Sequence, residues 1–139
     1  MPTGLLPGVR VLDIGQGVSA PYAAKLLANL GADVIKVEPP EGDESRRVGP
    51  FPGDVPHPEK SGLFLALNAN KRGVTLDLGS KGDALRFLRL AENADIVVEN
   101  QRPGSVERLG LGYEALREQR PDCIYISLSA SGYGGPERD

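Results

Sequence analysis

A glycine-containing segment near the amino terminus has the residue spacing of a nucleotide-binding turn. Gly15-Gln16-Gly17-Val18-Ser19-Ala20 fits the pattern G-x-G-x-x-A, and Glu38 follows 21 residues after Gly17. In a dinucleotide site of this type the glycines let the backbone approach a pyrophosphate, and the acidic residue binds the ribose hydroxyls. A tight turn between a strand and a helix also favours glycine without any ligand. The pattern alone therefore leaves both interpretations open.

Asparagine, lysine and arginine side chains form a second candidate site. These residues are Arg46, Arg47, Asn70-Lys71-Arg72, Asn100-Gln101-Arg102-Pro103-Gly104 and Arg108. Each one taken alone fits a solvated surface group. The groups at 70–72 and 100–108, however, fall at the edges of predicted strands, where side chains can converge on an anionic ligand such as a phosphorylated nucleotide. The small-residue run at 129–136 would let a ligand approach the backbone closely.

Other kinds of site find little support in the residue types. The single histidine, His57, lies between Pro56 and Pro58. We therefore expect a surface histidine, and neither a Ser-His-Asp triad nor a histidine metal cluster. The phosphate-loop pattern G-x-x-x-x-G-K-[ST] does not occur, and nothing in the sequence implies a metal.

Apolar patterning predicts the elements that must position these side chains. Short runs rich in β-branched residues predict strands at 9–14, 34–37, 74–78, 95–99 and 123–128. Apolar residues at helical spacing predict helices at 20–30, 61–67, 80–91 and 113–119. Ser80, with Asp83 three residues later, is typical of a helix start. Residues 39–60 contain six of the twelve prolines and predict a long irregular loop.

The order of these elements predicts an α/β fold. A strand, a helix and a second strand within about 30 residues form a βαβ unit with parallel strands and a right-handed crossover. The alternation continues to the last strand. We therefore expect a Rossmann-like three-layer parallel sheet, in which ligands bind in loops at the carboxyl ends of the strands.

Composition limits the class of protein. The chain has 139 residues, of which 40% are hydrophobic, with a net charge of -3. This size and composition predict one folded domain over residues 1–139. Since the charges are evenly spread and no long apolar run occurs, we expect neither nucleic acid nor a membrane as partner. The single cysteine, Cys123, fits a cytoplasmic protein and is expected to be a small buried side chain.

A series of short motifs carries a resemblance to a known family along the whole chain. They are Val11-Leu12-Asp13 with Pro21, residues 30–38 with Pro40 and Gly42-Asp43, Asn68-Ala69-Asn70-Lys71-Arg72, residues 94–100 with Arg102-Pro103-Gly104, residues 108–113, Pro121, and Gly132-Tyr133-Gly134 before Gly135-Pro136. In this order they resemble the N-terminal part of the class III coenzyme A transferases. That family includes carnitine-CoA transferase, formyl-CoA transferase and α-methylacyl-CoA racemase.

The resemblance implies a CoA site. It implies that the chain forms the N-terminal part of a large CoA-binding domain, in a dimer whose two subunits interlock. An acyl-CoA and a carboxylate acceptor would be the partners, with CoA as a substrate and no metal. The implied CoA-contacting residues are Gln16, Gly17, Val18, Ser19, Ala20, Leu76, Asn100, Arg108 and Leu109. Pro39 stands where several relatives have an arginine for the nucleotide, so we expect Arg46, Arg47 or Lys71 to supply that charge.

The resemblance also implies a reaction. Members of the family move CoA between carboxylic acids through an aspartate that attacks the thioester carbonyl and forms a mixed anhydride. That aspartate follows the Gly132-Tyr133-Gly134 motif by a few dozen residues, and Asp139 does not correspond to it. We therefore expect no catalytic residue in this chain and no transferase activity from it alone. Three alternatives stay open, namely the racemase branch of the family, a non-catalytic dinucleotide-binding module, and a subunit that assembles with the rest of the enzyme.

Overall fold

One parallel sheet organises the chain, for which a computed structural model describes residues 4–136. The strands are β1 (Arg10–Asp13), β2 (Asp33–Glu38), β3 (Arg72–Thr75), β4 (Ile96–Glu99) and β5 (Ile124–Ser127). They lie in the order β3-β2-β1-β4-β5, and each pairs in parallel with its neighbours. The predicted parallel α/β sheet is confirmed.

Helices cover both faces of the sheet. They are α1 (Ser19–Asn29), α2 (Gly62–Asn68), α3 (Lys81–Ala91), α4 (Ser105–Arg108) and α5 (Tyr113–Gln119). On one face α1 packs on β1, β2 and β4, with α2 against α1. On the other face, α3, α4 and α5 contribute Phe87, Val106 and Leu116 to the core. Right-handed crossovers account for this division, because the chain moves outward in opposite directions from β1 to β3 and from β4 to β5.

The two cores differ in side-chain size. Ala20, Ala24 and Ala28, spaced by four residues, turn one face of α1 onto the sheet and let the helix approach it closely. The opposite core is built around Phe87, which is fully buried together with Val97 and Leu116. Cys123 is buried at its margin, as expected.

Helix starts follow the local sequence. The Ser80 hydroxyl accepts the Asp83 N–H at 3.2 Å, which confirms the predicted start of α3. The Ser61 hydroxyl likewise accepts the Phe64 N–H at 3.1 Å ahead of α2. Both caps occupy an N–H group that has no partner within its helix.

Three local features differ from the sequence predictions. The strand predicted at 74–78 is β3 at Arg72–Thr75, because the chain leaves the sheet after Leu76 and turns at Asp77, whose carbonyl accepts the Ser80 N–H. The loop at 39–60 contains two 3₁₀ helices, Glu44–Arg47 and Pro52–Asp54. The helix α4 was not predicted, since four residues are too few to show periodicity. Within residues 4–136, no helix is long and apolar enough to cross a bilayer.

Candidate functional site

The candidate site lies at the carboxyl ends of β1 and β4, in the middle of the sheet. From β1 the chain continues to β2 on one side, whereas β4 lies on the other side of β1. This reversal leaves a crevice between the two loops that follow β1 and β4, which is the usual ligand position in open parallel sheets. The turn at 14–18 and the loop at 100–104 form its walls.

Side chains of the protein itself accept hydrogen bonds from the backbone amides of the turn at 15–17. Gly15 N donates to Asp13 Oδ1 at 3.0 Å, Gln16 N to Asn100 Oδ1 at 2.8 Å, and Gly17 N to Asp43 Oδ1 at 3.1 Å. A pyrophosphate cradle requires such amides to face the ligand. The arrangement therefore does not favour the dinucleotide interpretation of G-x-G-x-x-A.

The carboxylate of Glu38 is likewise bound by other groups of the protein. It accepts two hydrogen bonds from the Arg46 guanidinium, at 2.7 and 2.8 Å, and one from Asp43 N at 2.9 Å. Burial acts to raise the pKa of Glu38, but these hydrogen bonds and the Arg46 charge outweigh it and hold the pKa below its usual value. Glu38 thus binds Arg46, and its role as a ribose acceptor finds no support here.

Asn100 connects the two loops of the crevice. Besides accepting from Gln16 N, its side-chain amide donates to Gln16 O at 2.8 Å and to Ser19 Oγ at 2.9 Å. A side chain at position 15 would bring its Cβ into collision with the Ala20 Cβ and within 2.9 Å of Asn100 Oδ1, so glycine is required there. The structure thus brings together Gln16, Ser19 and Asn100, three of the residues that the resemblance implies as CoA contacts.

A mainly apolar groove of about 180 Å³ opens beside the turn. Its lining residues are Ile14, Gln16, Val37, Glu38, Pro39, Leu76, Leu78, Gln101, Ser105, Val106 and Leu109. Three of the predicted CoA-contacting residues, Gln16, Leu76 and Leu109, lie in this wall. The other apolar members carry no distinguishing sequence feature, because buried strands and helices contain the same residue types.

A second, more open depression of about 520 Å³ lies on the other side of Gln101. Its lining residues are Ser19, Asn100, Gln101, Arg102, Pro103, Leu128, Ser129 and Ala130. It includes the first residues of the small-residue run that the sequence singled out. The two depressions therefore share Gln101, which belongs to a predicted cationic segment but was not itself predicted as a contact.

Gln101 is fixed by two neighbours. Its side-chain amide donates to Ile14 O at 2.9 Å, and its N–H donates to Glu99 Oε2 at 2.6 Å. Glu99 is fully buried, and its other carboxylate oxygen has no hydrogen-bond partner among the described residues. Burial raises the pKa of this carboxyl group. Gln101 is consequently held at the boundary of both depressions.

Other predicted residues lie away from the groove wall. Ala20 is fully buried in the core and Gly17 is also buried, so neither lines the groove or the second depression. Val18 is 54% exposed at the start of α1. Arg108 is exposed at the end of α4, directly before Leu109 of the groove. The six-residue segment therefore offers a ligand mainly Gln16, Val18 and Ser19.

The cationic side chains of Lys71 and Arg72 do not converge on one point. The Lys71 ammonium is buried and donates to Asp13 Oδ2 at 2.8 Å and Pro21 O at 2.7 Å. Burial lowers the pKa of Lys71, although the Asp13 carboxylate opposes this effect. Arg72 instead pairs with Asp33 at the surface. Lys71 thus does not supply the nucleotide charge expected of it, because its ammonium is enclosed by protein acceptors.

Of the remaining candidates for that charge, Arg46 and Arg47 differ. Arg46 binds Glu38 and Glu59 and stacks on the Phe64 ring at 3.6 Å. Arg47 is exposed, and its guanidinium donates to Glu41 O at 3.2 Å. His57 is exposed as well, as expected. Between residues 4 and 136, no three His, Cys, Asp or Glu side chains group as a metal site requires.

Comparisons with known proteins identify the family. The sequence model of the family described as CoA-transferase family III matches residues 6–139. Succinyl-CoA:mesaconate CoA-transferase of Haloarcula hispanica is 47% identical over 96% of this chain and 33% of its own length. The probable fatty acyl-CoA transferase Rv3272 of Mycobacterium tuberculosis is 44% identical over 97% of this chain and 34% of its own.

Solved structures show the same likeness. The crystal structure of a CAIB/BAIF family protein from Brucella suis superimposes with a TM-score of 0.88 at 35% identity, covering 97% of this chain and 36% of that protein. The chain thus spans about a third of the length of the relatives it matches.

Proposed function

The chain belongs to CoA-transferase family III, and on that basis we propose that it supplies part of the CoA site of an enzyme that moves CoA between carboxylic acids. The observation that carries this proposal is the apolar groove beside the turn at 14–18, with predicted contacts Gln16, Leu76 and Leu109 in its wall. Apolar walls with a few polar groups suit the purine of CoA.

The two depressions suggest a path for the coenzyme. The adenine enters the groove, and the pantetheine arm passes Gln101 into the second depression between Ser19 and Ala130. The phosphates remain outside, near the exposed side chains of Arg108 and Arg102. Arginine suits this position because its planar guanidinium binds phosphate oxygens in pairs.

The chemistry itself requires residues outside this chain. We propose that an aspartate of the remaining polypeptide attacks the thioester carbonyl, which forms a mixed anhydride and releases CoA as thiolate. Residues 1–139 then form the N-terminal part of the CoA-binding domain and hold CoA in place. Two of the relatives named above, those of Haloarcula hispanica and Mycobacterium tuberculosis, are called CoA transferases, which supports transfer over the racemase alternative.

An exposed apolar face supports a partner for this domain. We define this apolar face by Val18, Tyr22, Leu26 and Leu30, which are spaced by four residues from the residue before α1 to the residue after it. These side chains are 40–54% exposed. A row of exposed apolar side chains of this kind is typical of an interface. We propose that the rest of the enzyme, or a second copy of the chain, covers this face.

We expect the purified chain to self-associate through the apolar face. Light scattering should report a mass above 14.8 kDa for the unaltered chain. Tyr22→Lys with Leu26→Lys should return the mass to that of a monomer, because two charges cannot be buried there without partners. The matched control is Leu85→Lys, at a 60% exposed position on α3. A monomeric unaltered chain would rule out the second copy and leave the rest of the enzyme as the partner that covers this face.

Calorimetric titration of the purified chain with CoA, and separately with NAD, tests the proposed CoA site. We expect saturable binding of CoA and no heat of binding with NAD. We also expect no exchange of CoA between succinyl-CoA and a carboxylate acceptor when this chain is the only protein present. Binding of NAD without CoA would favour the dinucleotide module, and measurable exchange would show that the chain holds its own nucleophile.

A further inference from the structure

Four buried charges form a chain beneath the turn at 15–17. We call Lys71, Asp13, Lys36 and Asp43 the four-charge chain. Lys71 Nζ lies 2.8 Å from Asp13 Oδ2, Lys36 Nζ lies 3.9 Å from Asp13 Oδ2, and Lys36 Nζ lies 2.6 Å from Asp43 Oδ2. All four side chains are at most 2% exposed. Positive and negative groups alternate, so their charges sum to zero.

Three members of the four-charge chain form hydrogen bonds with the backbone of the turn at 15–17. Asp13 accepts from Gly15 N, Lys36 donates to Gly15 O, and Asp43 accepts from Gly17 N. Lys71 donates to Pro21 O in the first turn of α1. The turn is thus held by side chains from β1, β2 and the segment after β2.

Ser45 supports Asp43 in this position. Its N–H and hydroxyl donate to Asp43 Oδ1 at 2.8 and 2.6 Å, on the same oxygen that accepts from Gly17 N. Burial acts to raise the pKa of Asp43, but the hydrogen bonds from Lys36 and Ser45 outweigh it and lower the pKa. Asp43 is therefore an ionised acceptor with a fixed orientation.

Stability alone does not account for this arrangement. Burying an ion pair costs about as much desolvation energy as its attraction returns, so apolar residues of similar volume would serve the core equally well. What apolar residues cannot do is bind the N–H and C=O groups of a turn. The contacts with Gly15 and Gly17 are therefore the specific contribution of these charges.

We propose that Lys36 and Asp43 are positioning residues that fix the turn at 15–17 in the conformation needed to contact CoA. The inference rests on the proposed function, since the turn is the part of the chain that carries Gln16 into the groove. Lys36 and Asp43 do not line the groove or the second depression, and they act on the ligand through the turn.

The test replaces both charges together, so that neither is left buried without a partner. In the variant Lys36→Met with Asp43→Leu, Gly17 N loses its acceptor and Gly15 O loses its donor. We expect hydrogen exchange at the Gly15 and Gly17 amides, followed by NMR, to be at least about tenfold faster, with the strand amides still protected. The affinity for CoA should fall about tenfold.

Two further variants keep the test decisive. Ser45→Ala removes one donor from Asp43 and should cause a smaller change in the same direction, which decides the question if the double variant does not fold. Asp33→Asn with Arg72→Met removes an exposed ion pair and should leave both measurements unchanged. Wild-type exchange and wild-type CoA affinity in the folded double variant would overturn the inference. Absence of CoA binding by the unaltered chain would instead contradict the proposed function, and amide exchange would still test the positioning role.

Discussion

Replacing Asn100 by aspartate is expected to lower the affinity for CoA by about 30- to 100-fold. The substitution keeps the acceptor for Gln16 N but removes both donors, which bind Gln16 O at 2.8 Å and Ser19 Oγ at 2.9 Å. It also places a negative charge against a carbonyl oxygen. Losing two partly buried hydrogen bonds destabilises the binding conformation of the turn by about 2–3 kcal/mol. Because CoA binding must then restore this conformation, the affinity falls by about tenfold for each 1.4 kcal/mol.

Calorimetric titration of CoA measures this effect, and Asn93→Asp provides the matched control. Asn93 is exposed and lies before β4, at the amino ends of the strands and therefore opposite the candidate site. The same change of charge there should leave the affinity within about twofold of the unaltered chain. Equal affinities for the Asn100 variant and the unaltered chain would show that the contact between the two loops does not shape the binding site.

Replacing Lys71 by methionine is expected to lower the free energy of unfolding by about 3–5 kcal/mol. Methionine fills a similar space, but it leaves the Asp13 carboxylate without its ion pair at 2.8 Å and leaves Pro21 O without a donor. Removing one partner of a buried pair leaves an uncompensated charge, which is why the expected effect is large.

The neighbouring residue is a natural control for this substitution. Arg72 pairs with Asp33, but these side chains are 67% and 43% exposed. Because solvent screens such a pair, Arg72→Met should cost no more than about 1 kcal/mol. Urea unfolding followed by circular dichroism measures both variants. Similar losses for the two would show that Lys71 contributes no more than a surface charge.

The fold was accessible from the sequence because its determinants are local. Short runs of β-branched residues distinguish the strands from helices, which have apolar residues at a period of 3.6, and the alternation of strands and helices implies parallel neighbours. The cap at Ser80 depends on a residue only three positions away. The α-helix that escaped prediction, α4, and the two 3₁₀ helices of the loop at 39–60 are too short for any period to be visible.

The site was less accessible because its side chains are paired over long distances in the sequence. Lys71 looks like a free cation until its partner Asp13, 58 residues earlier, is known. Glu38 has the spacing of a ribose acceptor, yet Arg46 of the irregular loop binds it. Residue type and spacing identify groups that can bind a ligand, whereas only the folded chain shows which of them the protein already uses.

NMR titration of the isotopically labelled chain with CoA tests the central claim most directly. We expect the shifted amides to cluster at residues 14–19, 76–78, 100–106 and 109, around the groove and the second depression. Amide signals at the amino ends of the strands, near Arg10, Asp33 and Asn93, should not shift. Shifts confined to the amino ends of the strands, or no shifts at saturating CoA, would contradict a CoA site between the loops that follow β1 and β4.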